Sequence, residues 1–272
     1  MLRTIALSVL ALAGLLPALP ALALVEPERC PRFIAGTGAS VVPAAFRVAQ
    51  LADGEVRLTF LGHASFLIES PAGVSIVTDY NDMLRPAEAP TIATMNRAHT
   101  THFSFHPDPA IAYLLPGWRE DGTPAHYDLT VDDVWIRNVT TNIRGGFGMS
   151  GELQRDMNSI FVFEVSGLCI AHLGHLHHTL TPAHLDALGR IDVVLVPVDG
   201  GYTLNIDDMT AVLDQINAPL VIPMHYFGTA TLARFLAGLE QRYQVETSPL
   251  PVVTLSRATL PRMPTVLVLP GS

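Results

Sequence analysis

The chain contains no lysine, and all 16 of its basic residues are arginine. Against 25 acidic residues they leave a net charge of −9 and no basic stripe. An obligatory nucleic-acid partner needs a positive face, so none is expected. Cysteine is nearly absent too, with only Cys30 and Cys169. In an oxidising compartment these two could pair, tying the N-terminal region to a core strand; the alternative is a buried free Cys169 and an exposed Cys30. Linkers, low-complexity tracts and a second long apolar segment are all missing. The 272 residues therefore read as one domain behind a short leader, with a sizeable core.

The leader has the three parts of a secretory signal: Arg3, an apolar stretch over 5–19, and Ala21-Leu22-Ala23 as an A-x-A cleavage site. An N-terminal membrane anchor is the competing reading. Gly14, Pro17 and Pro20 interrupt the apolar run and argue against a stable span of about 20 residues. The expected organisation is a signal peptide over 1–23 and a single domain over 24–272, secreted or periplasmic, with no integral membrane segment after cleavage.

Strand-like runs occupy 56–61, 65–69, 74–78 and 134–139, with Pro71-Ala72-Gly73 as a turn. A short helix is expected over 107–115, with Pro107 or Pro109 in its first turn. The second half alternates. A hairpin is expected over 159–165 and 168–172, around Ser166-Gly167. A helix over 181–188 opens on Thr181 as N-cap and Pro182 at its first position. Then come a strand over 191–198, a helix over 207–216, a strand over 220–224, an amphipathic helix over 229–243 and a closing strand over 265–269. Hairpins followed by alternating strand and helix predict an α/β (α+β) architecture of two mixed sheets with helices outside them.

Histidine is what the chain has in concentrated form. Four of its 11 histidines fall in Ala171-His172-Leu173-Gly174-His175-Leu176-His177-His178, directly after an apolar run. Two further groups, His99 with His102 and His225 in Ile222-Pro223-Met224-His225-Tyr226, also follow predicted strands. Neutral imidazole is the commonest protein ligand for zinc, and strand-end loops can bring such residues together on a rigid frame. Isolated histidines usually satisfy hydrogen bonds or face solvent. Three groups at strand ends point instead to a metal site.

At these residues the chain resembles the metallo-β-lactamase-fold hydrolases, and within them the lactonase-like zinc-dependent branch. The resemblance runs from about Val56 to Phe227. It is carried by Leu61-Gly62-His63-Ala64-Ser65-Phe66-Leu67-Ile68-Glu69, by Thr78-Asp79, by the block from His172 to His178, by Val196-Pro197-Val198-Asp199-Gly200-Gly201-Tyr202-Thr203, and by the segment ending His225-Tyr226. It implies a four-layer αββα sandwich with the metal at one edge of two mixed sheets.

The chain departs from the family's ligand pattern His-x-His-x-Asp-His. Arg97, His99, Thr101 and His102 stand in that register, Asn142 stands near the middle histidine and His175 replaces the bridging aspartate. A register through His102, His106 and Asp108 fits the strand end less well. By the family's scheme one subsite would comprise Arg97, His99 and Asn142. Arginine stays positive and cannot ligate, so that subsite is expected to be lost. The other would become His102, His175 and His225, a three-histidine site with an open position. One Zn2+ is expected rather than two, with Fe or Mn as alternatives.

Of the remaining residues, His178 and His99 are candidates for proton transfer. Arg97 and Arg144 are candidates for binding an anionic substrate group. His172 and His177 read as scaffold, His63 as a residue that orients a ligand, and Asp79 as a residue fixing a loop behind the site. The resulting expectation is an exported metal-dependent hydrolase, acting through a metal-bound water on an ester, lactone, amide or phosphoester. The competing readings are a non-catalytic metal- or ligand-binding protein on the same fold, and a redox site with iron or copper.

Overall fold

The computed structural model describes residues 50–145 and 151–271. The expected signal peptide, Cys30 and Gly146 and Gly148 of the glycine-rich loop lie outside them. Two sheets form the frame. The smaller, six-stranded sheet contains β1 (Glu55–Gly62), β2 (Ser65–Glu69), β3 (Ser75–Val77), β4 (Ile92–Met95), β5 (Tyr113–Pro116) and β13 (Val252–Ser256), in the order β13-β1-β2-β3-β4-β5. The larger has eight strands: β6 (Asp128–Val131), β7 (Val134–Arg144), β8 (Leu153–Val165), β9 (Leu168–His172), β10 (Val193–Pro197), β11 (Leu220–Met224), β12 (Gln244–Thr247) and β14 (Thr265–Val268). Their order is β12-β14-β11-β10-β9-β8-β7-β6. Both sheets mix parallel and antiparallel pairs.

The alternation of β1, with Val56, Leu58 and Phe60 buried, sends one face inward. There it meets Ile136, Phe161, Phe163, Leu195 and Ile222 of the larger sheet in one core cluster. Strands β9, β10 and β11 are buried at every residue, as expected for parallel strands covered on both sides. Their outer face carries α1 (Pro182–Leu188), α2 (Ile206–Ile216) and α3 (Thr229–Leu239), packed through Leu188, Met209, Val212, Leu213, Phe235 and Leu239. Over the smaller sheet the described residues place Tyr80, Phe103 and Trp118 against Val77, Ala93 and Met95. Two facing mixed sheets with outer layers form the αββα sandwich.

Thr181 caps α1 through the His184 N–H with Pro182 in the first turn, as its sequence predicts. The helix expected over 107–115 is absent. The Ala110 N–H donates to Asp108 Oδ1 and the Ile111 N–H to Asp108 O, closing a turn. Tyr113 onward pairs instead with β4 as a parallel strand. Local proline signals lose here to the hydrogen bonds offered by an open sheet edge. Cys169, fully buried, is disulfide-bonded. Among the described residues no helix is long and apolar enough to cross a membrane.

Candidate metal centre

One edge of the sandwich collects the ends of strands from both sheets. His63 follows β1, Asp79 follows β3, and 97–102 follow β4. From the larger sheet His175 follows β9, Asp199 follows β10 and His225 follows β11. A backbone bond from His225 N–H to His63 O, at 2.6 Å, joins the two sheets here. His63, Asp79 and His225 all take positive φ, at 50°, 44° and 55°. This conformation is rare for residues other than glycine and concentrates at functional sites. It turns each side chain sharply off its strand.

Four imidazoles meet at this edge. Ligand-capable nitrogens of His63, His99, His102 and His225 all lie within 4.8 Å of one another. Two of these rings are fixed from behind by carboxylates. His102 Nδ1 lies 2.5 Å from Asp79 Oδ2, and His225 Nδ1 lies 3.0 Å from Asp199 Oδ1. Each carboxylate accepts the Nδ1 proton, which leaves a lone pair on each Nε2. These two Nε2 atoms face each other at 3.1 Å. With both Nδ1 atoms donating, neither Nε2 has a proton to give the other. His63 Nε2 is likewise buried, with no hydrogen-bond partner among the described residues. Acceptors facing one another at this distance, with carboxylates behind them, fit a cation between them.

The electrostatics agree. Burial, reinforced by His225 and His99, holds His63 down to about 3. Burial pushes His102 and His175 well below the ordinary imidazole value and lowers His99 as well. These rings are therefore neutral at pH 7, the form that ligates. Burial pushes Asp79 up to about 6, against the opposing pull of His172. Burial would also raise Asp199. Hydrogen bonds from His225, Thr203 and the Gly201 N–H outweigh it, and its carboxyl sits below the usual range.

The other expected site residues differ in their placement relative to this group. His175 is buried, with its ring centre 4.7 Å from His102 and 4.9 Å from His225. The group whose ligand nitrogens all lie within 4.8 Å of one another comprises His63, His99, His102 and His225, where the sequence suggested His102, His175 and His225. His178 has both nitrogens engaged outside the cluster: Nε2 accepts from Asn142 N–H and Nδ1 donates to Thr179 O. Arg97 forms an ion pair with Glu120 at 2.9 Å and lies over the rings of Phe103 and Trp118. The Asn142 side chain, placed by the sequence in the subsite expected to be lost, accepts from Asp156 N–H. His172 is scaffold, with Nε2 donating to Ala64 O and Nδ1 accepting from Gly174 N–H.

Sequence reasoning gave His63 only an orienting role and gave Asp199 none. Both stand in segments that carried the family resemblance, directly after buried strands. Asp79, read as a loop-fixing residue, holds His102.

The family model for the β-lactamase superfamily domain matches residues 57–225, a span that includes all four clustered histidines. The chain belongs to the metallo-β-lactamase superfamily. A Thermotoga maritima protein assigned to the zinc-dependent hydrolases of that superfamily is 30% identical. Its match covers 79% of this chain and 98% of that one, with a TM-score of 0.56. A UPF0173 metal-dependent hydrolase of Methanoculleus marisnigri is 27% identical over 63% of this chain and 81% of its own length. The fold recurs in a Parabacteroides distasonis protein described as a metal-dependent hydrolase. That protein is 16% identical, with a TM-score of 0.53 over 68% of this chain and 88% of its own.

Proposed function

We propose that this member of the metallo-β-lactamase superfamily is an exported, metal-dependent hydrolase of a small ester, lactone, amide or phosphoester. The observation that carries the reading is the pair of carboxylate-backed imidazoles, His102 and His225, with their Nε2 atoms 3.1 Å apart. His63 and His99 complete the donor set. A divalent cation bound there lowers the pKa of a coordinated water and polarises a carbonyl or phosphoryl oxygen. The protein's part is to hold the proton of each Nδ1 on the carboxylate side, at Asp79 and Asp199, so that the Nε2 lone pairs stay directed at the site. His102 and His225 are fully buried, whereas His63 and His99 are only partly so. The group therefore opens to solvent on one side, where a small substrate enters. Zinc suits an all-imidazole set, and iron is the alternative that such ligands also favour. The leader around Arg3 and Ala23 and the disulfide at Cys169 support export.

Metal analysis of protein purified without added metal tests this, together with hydrolysis assays on ester, lactone, amide and phosphoester panels. One ion per chain is expected, and His225→Ala should lose both the ion and turnover. Protein that neither retains nor takes up metal would overturn the reading. Four imidazoles also make up the full donor count of a closed structural site. That favours a second reading, metal binding without turnover, which inactivity of the fully loaded protein on every panel would establish.

A further inference from the structure

The histidine tract after β9 fixes where its protons sit. The backbone N–H of Arg144 donates to His177 Nδ1 at 2.8 Å, and the Arg144 guanidinium Nε lies 3.3 Å from the same atom. A nitrogen that accepts two N–H groups cannot carry a proton, so the His177 proton is on Nε2. That Nε2–H faces His175 Nδ1 at 2.5 Å. His175 Nδ1 is thus the acceptor, and the single proton of the neutral His175 ring is on Nε2. This Nε2 is buried and has no hydrogen-bond partner among the described residues. The ring stands 4.7–5.0 Å, centre to centre, from His102, His225 and His99. Its backbone is pinned by the His175 N–H bond to Asn158 Oδ1 at 2.7 Å.

We propose that His175 is not a metal ligand but a catalytic hydrogen-bond donor, whose Nε2–H binds the carbonyl or phosphoryl oxygen of the substrate beside the metal. This rests on the hydrolase reading above. A ligand must present a lone pair. Giving Nε2 a lone pair would move the proton to Nδ1, against His177 Nε2–H. Relieving that clash would move the His177 proton to Nδ1, against the Arg144 N–H. The relay thus sets His175 as the opposite kind of group from His102 and His225, whose carboxylates hold their protons on Nδ1. A preorganised donor beside a cation stabilises charge that develops on the substrate oxygen. The substrate class that fits is one offering an acceptor oxygen at the bond to be cleaved.

Two measurements on the full chain test this. Long-range 1H–15N NMR of metal-free wild-type protein should show His175 protonated at Nε2 and unprotonated at Nδ1. The reverse tautomer would overturn the proposal. Metal content of His175→Ala and His175→Gln should equal that of wild type, and an ion missing from either folded variant would overturn it as well. With p-nitrophenyl acetate as probe, kcat of His175→Ala should fall about 100-fold. His175→Gln, which keeps an N–H donor, should recover at least about tenfold of that loss, and equal kcat in Ala and wild type would overturn the donor role. A wild-type protein that holds no metal and turns nothing over defeats the hydrolase reading, while the tautomer still reports on the relay.

Discussion

Asp79→Asn isolates the contribution of a single proton to the metal centre. Asp79 takes φ 44°, which asparagine adopts readily, so the backbone should survive. Its Oδ1 accepts from Asn96 Nδ2 at 2.9 Å and its Oδ2 accepts the His102 Nδ1 proton at 2.5 Å. Asn96 cannot flip to help, because its own Oδ1 accepts from the Ser159 N–H at 2.7 Å. An amide at position 79 has only one oxygen for two donors. Turned towards His102, it sets an N–H group against the Asn96 N–H. Turned the other way, it forces the His102 proton onto Nε2 and removes a ligand.

The first arrangement leaves a fully buried clash of donors, which costs about 1–3 kcal/mol, and the second costs the site a ligand. Loss of such an outer partner typically weakens metal affinity by about 10–100-fold, corresponding to about 1.4–2.7 kcal/mol. Competition with a chromophoric chelator measures the affinity, and thermal melting of the metal-free variant measures the structural part. The expected result is weaker metal binding by at least about tenfold, with a folded metal-free protein. Binding as tight as wild type in the folded variant would refute the claim that a carboxylate behind His102 sets its ligating tautomer.

Gly174→Ala should be severe. Gly174 has φ +60°, and an added Cβ would lie 2.4 Å from both Asn158 Oδ1 and Asn96 Nδ2. These amides hold His175 and Asp79, so roughly 2–4 kcal/mol of stability should be lost in denaturant melts, and a melt unchanged from wild type would contradict the packing. Acidification of the metal-free protein should also destabilise it. His63 (about 3) and His177 (about 4) have folded values below the ordinary imidazole value of 6.5. Their contribution is therefore complete above pH 6.5 and is lost as pH falls towards those values. Asp79, raised to about 6, acts in the opposite sense, contributing most below its unfolded value and losing that contribution as pH rises through 6. The several lowered histidines outnumber it, so the denaturation midpoint should fall between pH 6.5 and 4. A midpoint that rises over this window would contradict these assignments.

Periodicity located the core strands because burial writes itself locally. Strand β11 and the cap of α1 were legible to the residue, since an apolar run or a Thr-Pro pair acts within a few positions. Strand β5 was not, because its partner β4 lies across a loop and decides between turn and helix through non-local hydrogen bonds. Strands β12 and β13 likewise draw their pairing from β14 and β1, far along the chain.

The candidate site divides in the same way. The sequence by itself determined that histidines gather behind strand ends, and that Arg97, Asn142 and His175 occupy places where the resembled family has ligands. Only the tertiary structure decided which nitrogens face one another. It turned Arg97 outward onto Glu120, drew His63 inward beside His225, and placed Asp79 and Asp199 behind their imidazoles. The physical reason is that ligation depends on which ring nitrogen keeps its proton. That is set by hydrogen-bond partners distant along the chain, as with His102 and Asp79, 23 residues apart, or His225 and Asp199, 26 residues apart. No spacing along the chain records those contacts.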